Sequence, residues 1–347
     1  MSLLIETLIV MLVKIGVVFA TLLFVAAYLV WLERKVIARI QVRWGPTRVG
    51  PFGLLQPVAD GIKLFFKEDL IPARVDRTLF LLAPAVSIIP AFLAFAVMPF
   101  GGTTTLLGLL PRPVPLHLAD IDVGVLYVFG ITSLGVYGIF LAGWSSNNKY
   151  SLLGGMRASA QMISYELSMS LSVVGVLLLV GSLRLTEIVR AQEGIAWWLG
   201  VLPVPNWLVF SQPLAFGIFF TCALAETNRA PFDLPEAETE LVAGFHSEYS
   251  SMKFAMFFMA EYINMATAAA MATTLFLGGP LGPLGPSPVW FVAKVLLLLF
   301  VFIWFRASLP RFRYDQLMAF GWKRLLPLAF ANTIVTALVA AIAGAGG

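Results

Sequence analysis

Apolar runs of about twenty residues recur along this chain from its first residues to its last. Each is long enough to cross the hydrocarbon core of a bilayer as a helix. Within a run, apolar residues follow one another without strict alternation, so a transmembrane β-barrel is excluded. The fold class is therefore an all-α polytopic membrane protein. Composition agrees: 59% of the 347 residues are hydrophobic and 12% are charged, against about 25% charged in soluble domains.

The runs predict eight transmembrane helices near 7–32, 77–100, 121–143, 158–181, 208–226, 252–277, 289–308 and 324–344, in one membrane domain covering 1–347. Eight crossings put both termini on one side. Of the 23 Lys and Arg residues, 18 fall in or beside the connections after spans one, three, five and seven. The exceptions are Lys14 and Lys294 within spans, and Arg112, Arg184 and Arg190 in the opposite connections. By the positive-inside rule the basic connections face the cytoplasm and the termini face away from it. "MSLLIETLIVMLVKIG" has no basic leader and is read as part of span one rather than a signal peptide.

What the chain lacks limits its chemistry. One cysteine, Cys222, cannot form an internal disulfide or hold an iron–sulfur cluster, which needs about four thiolates. His117 and His246 have no zinc-ligand spacing. No Gly-x-Gly-x-x-Gly or Walker A loop is present. No metal, flavin or nucleotide site is expected on this chain. No internal repeat is found, which counts against a self-contained inverted-repeat transporter.

The connection after span one contains "LLQPVADGIKLFFKED". Leu54, Leu55, Val58, Ile62, Phe65 and Phe66 recur at helical spacing, with Gln56, Asp60, Lys63 and Lys67 on the other face. This predicts an amphipathic helix of about four turns over 54–69, too short to span. Two readings stand. It rests on lipid headgroups, or it roofs an opening into the membrane with Asp60 and Lys63 inside.

The acids are concentrated. Of 19 carboxylates, six lie between Glu226 and Glu248 in "AETNRAPFDLPEAETELVAGFHSEYS", an acidic loop over 226–250. Crowding raises carboxylate pKa values, which suits a proton relay. A charged docking surface is the competing reading, and the two are compatible. Glu166 and Glu261 fall inside spans four and six, where an acid is functional by default. Glu226 caps span five and Glu248 opens span six. Arg34, Arg306, Arg311 and Arg313 stand at cytoplasmic span ends. Arg34 is expected to pair with Glu33 or with the acidic loop, and Arg313 to act as an ordinary anchor.

"ERKVIARIQVRWGPTRVGPFGLLQPVADGIKLFFKED", "GWSSNNKYSLLGGMRASAQMISYE", the acidic loop and "RFRYDQLM" together resemble the quinone-chamber membrane subunit of respiratory complex I, the NADH:quinone oxidoreductase, called the H subunit in bacteria. The resemblance covers nearly the whole chain. It implies a multi-pass subunit of the bacterial plasma membrane at the heel of the membrane arm. The implied substrate is a quinone, either ubiquinone or menaquinone. The implied partners are the peripheral-arm subunits that carry iron–sulfur clusters and the quinone site, the small neighbouring subunits of the proton-pumping arm, and lipid. No nucleic acid is expected. By motif match the resemblance implies that Glu166, Glu226, Glu236, Glu238, Glu240, Glu248 and Glu261 are coupling acids. It implies that Arg34, Asp60, Lys63, Arg229, Phe232, Arg306 and Arg311 line the quinone route. Some family members carry a further glutamate in span three. "GITSLGVYGIF" has none, which leaves Ser133, Tyr137 or water. Two rivals remain: a homologous membrane hydrogenase subunit and a stand-alone cation transporter.

Overall fold

The computed structural model describes residues 2–104, 114–199, 202–233, 243–283 and 285–345. Its main elements are helices: α1 Ser2–Ile40, α2 Gln56–Phe66, α3 Arg77–Leu93, α4 Gly124–Ser145, α5 Lys149–Val180, α6 Leu185–Ala191, α7 Leu208–Ser211, α8 Pro213–Glu226, α9 Ser251–Phe276, α10 Pro288–Ser308, α11 Tyr314–Phe320 and α12 Leu326–Ala345. A short π turn at Gly321–Leu325 joins the last two. Two short antiparallel ladders, Thr103–Thr104 with Val114–Pro115 and Ile195–Leu199 with Leu202–Pro205, lie in connections.

Among the described residues, seven helical segments are long and apolar enough to cross a membrane. The fifth expected span is divided. Its chain pauses at Gln212, and Pro213 restarts the helix at a position where proline's missing N–H is harmless. The resulting α8 has 14 residues, about 21 Å of axial length and short of the hydrocarbon thickness of about 30 Å.

Local chemistry sets the ends. Asp76 caps α3 by accepting from the Leu79 N–H at 3.3 Å, and Asn148 caps α5 through the Tyr150 N–H at 3.0 Å. Gly181, at φ 75°, ends α5 in the left-handed turn that glycine adopts most readily. Small residues then bring helices together, the usual means of close packing where lipid supplies no hydrophobic drive. A Cβ on Gly143 would sit 2.6 Å from the Ser151 carbonyl oxygen. One on Gly154 would sit 2.8 Å from Gly244, so α5 closely supports the turn carrying His246.

Several boundaries differ from expectation. Span one is part of a 39-residue helix that runs eight residues past 32. The amphipathic helix covers Gln56–Phe66, about three turns, not 54–69. Leu54 and Leu55 belong to the turn before it, and Lys67 is already extended. Beyond it, Asp69 pairs with Lys253 at 2.9 Å and the Leu70 N–H donates to Ser250 Oγ at 3.0 Å, so tertiary contacts pull the chain out of helical register. Glu248 does not open a helix. α9 starts at Ser251, which has a left-handed φ of 55°, and Glu248 lies in the turn before it. Glu248 and Glu261 are therefore not on one continuous helix.

Candidate functional site: a buried charged cluster beneath the amphipathic helix

Four elements bring five polar side chains together: α1, the turn after α8, α9 and α10. Glu33 is the hub. Arg229 Nη1 donates to both Glu33 oxygens at 3.0 Å, and the Tyr262 hydroxyl donates to Glu33 Oε2 at 2.9 Å. Arg306 donates to the other Glu33 oxygen. Arg229 Nε lies 2.5 Å from Glu261 Oε1, and its guanidinium stacks 4.3 Å from the Tyr262 ring centroid. Glu33, Arg229 and Tyr262 are all buried.

With both acids ionised the two carboxylates balance the two guanidiniums. That balance is required, because an unpaired charge taken out of water costs several kcal/mol. Burial opposes the charge on Arg229. The Glu261 carboxylate, the Tyr262 oxygen and Glu33 outweigh it, so the guanidinium is held above its ordinary range.

The turn that aims Arg229 inward is fixed by α5. Gln161 Nε2 donates to the Ala225 carbonyl at 2.8 Å and the Phe232 carbonyl at 2.9 Å. Asn228 takes a left-handed φ of 49°, which lets the chain reverse there. Phe232 is buried, with its ring 5.5 Å from Tyr165 and 5.6 Å from Phe312. Arg311 pairs with Asp233 at 2.9 Å.

Deeper in the bundle, a cavity of about 40 Å³ is lined by residues that include Glu261, Glu226, Asn228, His246 and Asn264. A second, of about 30 Å³, shares Glu226, Thr227 and Asn264 with it. Each has a mainly apolar lining broken by these few polar groups, and each is large enough for at least one water. The Ser133 hydroxyl donates to Glu166. Such an arrangement of acids, amides and water-sized spaces has the chemistry to move a proton or to respond to a charge placed beside it.

Toward the amphipathic helix, Arg34 Nη1 pairs with Asp60 Oδ2 at 2.7 Å, and Gln56 bonds the other Asp60 oxygen at 3.1 Å. Arg34 therefore pairs with α2, not with Glu33. Lys63 is exposed on α2, as are Val58, Ile62, Phe65 and Phe66. Glu248 accepts from Asn148 at 2.7 Å, apart from the cluster. Tyr137 is exposed. Arg313 is exposed and pairs with its neighbour Asp315 at 3.2 Å. Glu236, Glu238 and Glu240 lie outside the described residues.

The sequence reading missed Glu33 and Tyr262. An acid placed where an apolar run meets "ERK" was the available signal for Glu33. Its partners are 196 and 273 residues away in sequence, and no local pattern reveals them.

His246 is buried, with its ring 5.0 Å from Phe245 and 5.4 Å from Phe254. Burial lowers its pKa to about 4. An unfolded chain takes up this proton near pH 6.5. The folded protein resists protonation, so stability is full above that value and is lost as pH falls toward about 4. His246→Phe is expected to lower thermal stability at neutral pH, because the His246 Nδ1 contact to the Ala243 carbonyl at 2.6 Å is lost. It is also expected to shrink the further loss between pH 7 and pH 5, measured by thermal melts of the solubilised protein. An unchanged pH dependence would count against this assignment.

Helices of spanning length around a buried, charge-balanced cluster define a polytopic membrane protein, and a charge set among such helices is a functional-site candidate by default. The family model described as NADH dehydrogenase matches residues 13–337, and the chain belongs to that family. It is 57% identical over 355 residues to a protein of Koribacter versatilis named as an H subunit of NADH-quinone oxidoreductase, covering 96% of this chain and 98% of that one. A protein of Geobacter sulfurreducens with the same kind of name is 54% identical, with 96% and 95% covered. The H subunit of NADH-quinone oxidoreductase from Thermomicrobium roseum is 57% identical, with 92% of each covered.

Proposed function

We propose that this chain is the H subunit of a proton-translocating NADH:quinone oxidoreductase in a bacterial plasma membrane. It forms the entrance and wall of the quinone chamber, docks the peripheral arm, and couples quinone reduction to proton movement through buried carboxylates. NADH oxidation supplies two electrons through flavin and iron–sulfur groups on partner subunits. The quinone takes these electrons and two protons to become a quinol. The observation that carries the reading is the cluster of Glu33, Arg229, Tyr262, Glu261 and Arg306, placed between the Arg34–Asp60 pair and the cavities that reach Glu226.

The quinone, ubiquinone or menaquinone, passes under α2. Its polar head meets Arg34, Asp60, Lys63, Arg229, Arg306 and Arg311, and Phe232 stands on the same route. Charge appearing on the head perturbs the cluster. Glu261, Glu226, Glu166 and Glu248 carry the response into the membrane arm, with Glu236, Glu238 and Glu240 as the acids of the connecting loop. α8 serves as the short fifth of eight crossings, so both termini face away from the cytoplasm. The peripheral arm meets the basic, cytoplasmic face, and small membrane subunits flank the bundle.

Arg34→Ala and Asp60→Ala break the ion pair that ties α1 to α2 at the proposed entrance. Each is expected to lower NADH:quinone turnover roughly tenfold, the effect of about 1.4 kcal/mol. NADH oxidation by a water-soluble artificial acceptor should keep its wild-type rate. Equal loss of both rates in a fully assembled complex would rule out a role on the quinone route.

A further inference from the structure

Further along the same three helices, away from the charged cluster, α1, α9 and α10 enclose a groove of about 540 Å³. This is within the size range of small-molecule sites, about 300–1,000 Å³. Its lining is almost wholly apolar. Ala266 and Ala270 on α9 leave room at the floor, and Phe291 and Leu299 on α10 form one wall. Val17 on α1 and Val292 and Leu296 on α10 line it and are also exposed to the outside of the bundle, so the groove communicates with the lipid phase.

Its dimensions match one leaflet. Along α1 it extends from Val13 to Val25, about 18 Å at 1.5 Å per residue. Half of a hydrocarbon core of about 30 Å is roughly 15 Å. Lys14 stands at its outer end and lines it. Glu33 and Lys14 are 19 positions apart on one continuous helix, about 28 Å. If Glu33 marks the cytoplasmic edge of the hydrocarbon, Lys14 sits at the opposite headgroup level. An ammonium offers three donors. Lys14 Nζ uses one on the His117 carbonyl at 3.2 Å, and among the described residues no carboxylate pairs with it.

We propose that this groove binds one membrane phospholipid with an anionic headgroup, its acyl chain lying between α1 and α10 and its phosphate on Lys14. A cation at headgroup depth beside an apolar slot of leaflet length is what such a molecule recognises. The proposal does not depend on the quinone reading, because its readout is bound lipid.

The test uses the complete membrane complex, purified by detergent from vesicles of equal parts phosphatidylglycerol and phosphatidylethanolamine, with retained lipid measured by mass spectrometry. The wild type is expected to keep phosphatidylglycerol in several-fold excess. Lys14→Leu should abolish that excess, and Val17→Trp, which fills the groove, should remove about one retained lipid per complex. An unchanged lipid ratio in Lys14→Leu, or an unchanged lipid count in Val17→Trp, overturns the proposal. Should either variant fail to assemble, a phosphatidylglycerol with a photoreactive acyl chain is applied to the wild type. Crosslinks to α1 between 17 and 25 or to α10 between 291 and 299 support the site. Their absence, or crosslinks from those segments to a partner protein helix instead, overturns it.

Discussion

Arg229→Leu is expected to destabilise the assembled complex by about 3–5 kcal/mol, the range found when one partner of a buried ion pair is removed. The structural reason is specific. Arg229 makes the ion-pair contact to Glu261 and three further contacts in the cluster, two to Glu33 and one to the Tyr262 ring. Without it, Glu261 keeps no guanidinium beside it, and Glu33 keeps only Arg306 and Tyr262. The cluster then holds two acids, one of them buried, and one cation. The protein must expel a charge or take up a proton, and either changes the site. Arg229→Lys separates the causes. It keeps the charge but loses the planar fork and the stacking on Tyr262, so it should assemble better than the leucine variant and still turn over quinone slowly. Thermal melts of the purified complex supply the readout. A leucine variant as stable as the wild type would show that the cluster's charges are not interdependent.

Glu33→Gln is the second large effect. The change keeps size and shape and removes one negative charge. Glutamine still offers a carbonyl oxygen to one donor, but its NH₂ group must face a second donor where a carboxylate oxygen stood. Arg229 and Arg306 lose their shared anion. A change of about 3 kcal/mol in such an interaction corresponds to a rate effect of roughly 100-fold. Quinone-linked turnover should fall by about that factor. Assembly should survive, because Glu261 still pairs with Arg229.

The membrane helices were legible in the sequence because a bilayer demands long apolar runs, and such runs announce themselves. Their ends were less legible. The helical spacing of Leu54 and Leu55 continues across a turn that begins at Gly53, which has a φ of 77°. Lys67 leaves the helix because Glu68, Asp69 and Leu70 are held by Ser250 and Lys253, some 180 residues away. The site was half legible. Arg229, Arg306 and Glu261 are visible as charges beside or within apolar runs, and the structure brings these three together. Glu33 was assigned a neighbour's role because Arg34 follows it. Helical geometry points adjacent residues in different directions, so Arg34 reaches Asp60 on α2 while Glu33 turns into the bundle.

The proposed function stands or falls on whether the Glu33 cluster serves the quinone-linked step and not assembly alone. The most direct measurement is the ratio of NADH:quinone turnover to NADH oxidation by a water-soluble acceptor, in assembled Glu33→Gln complex with subunit content matched to wild type. The expected ratio is lowered by about 100-fold, with the acceptor rate unchanged. A wild-type ratio, whether both rates are intact or both fall together, would contradict a role for the cluster in quinone reduction.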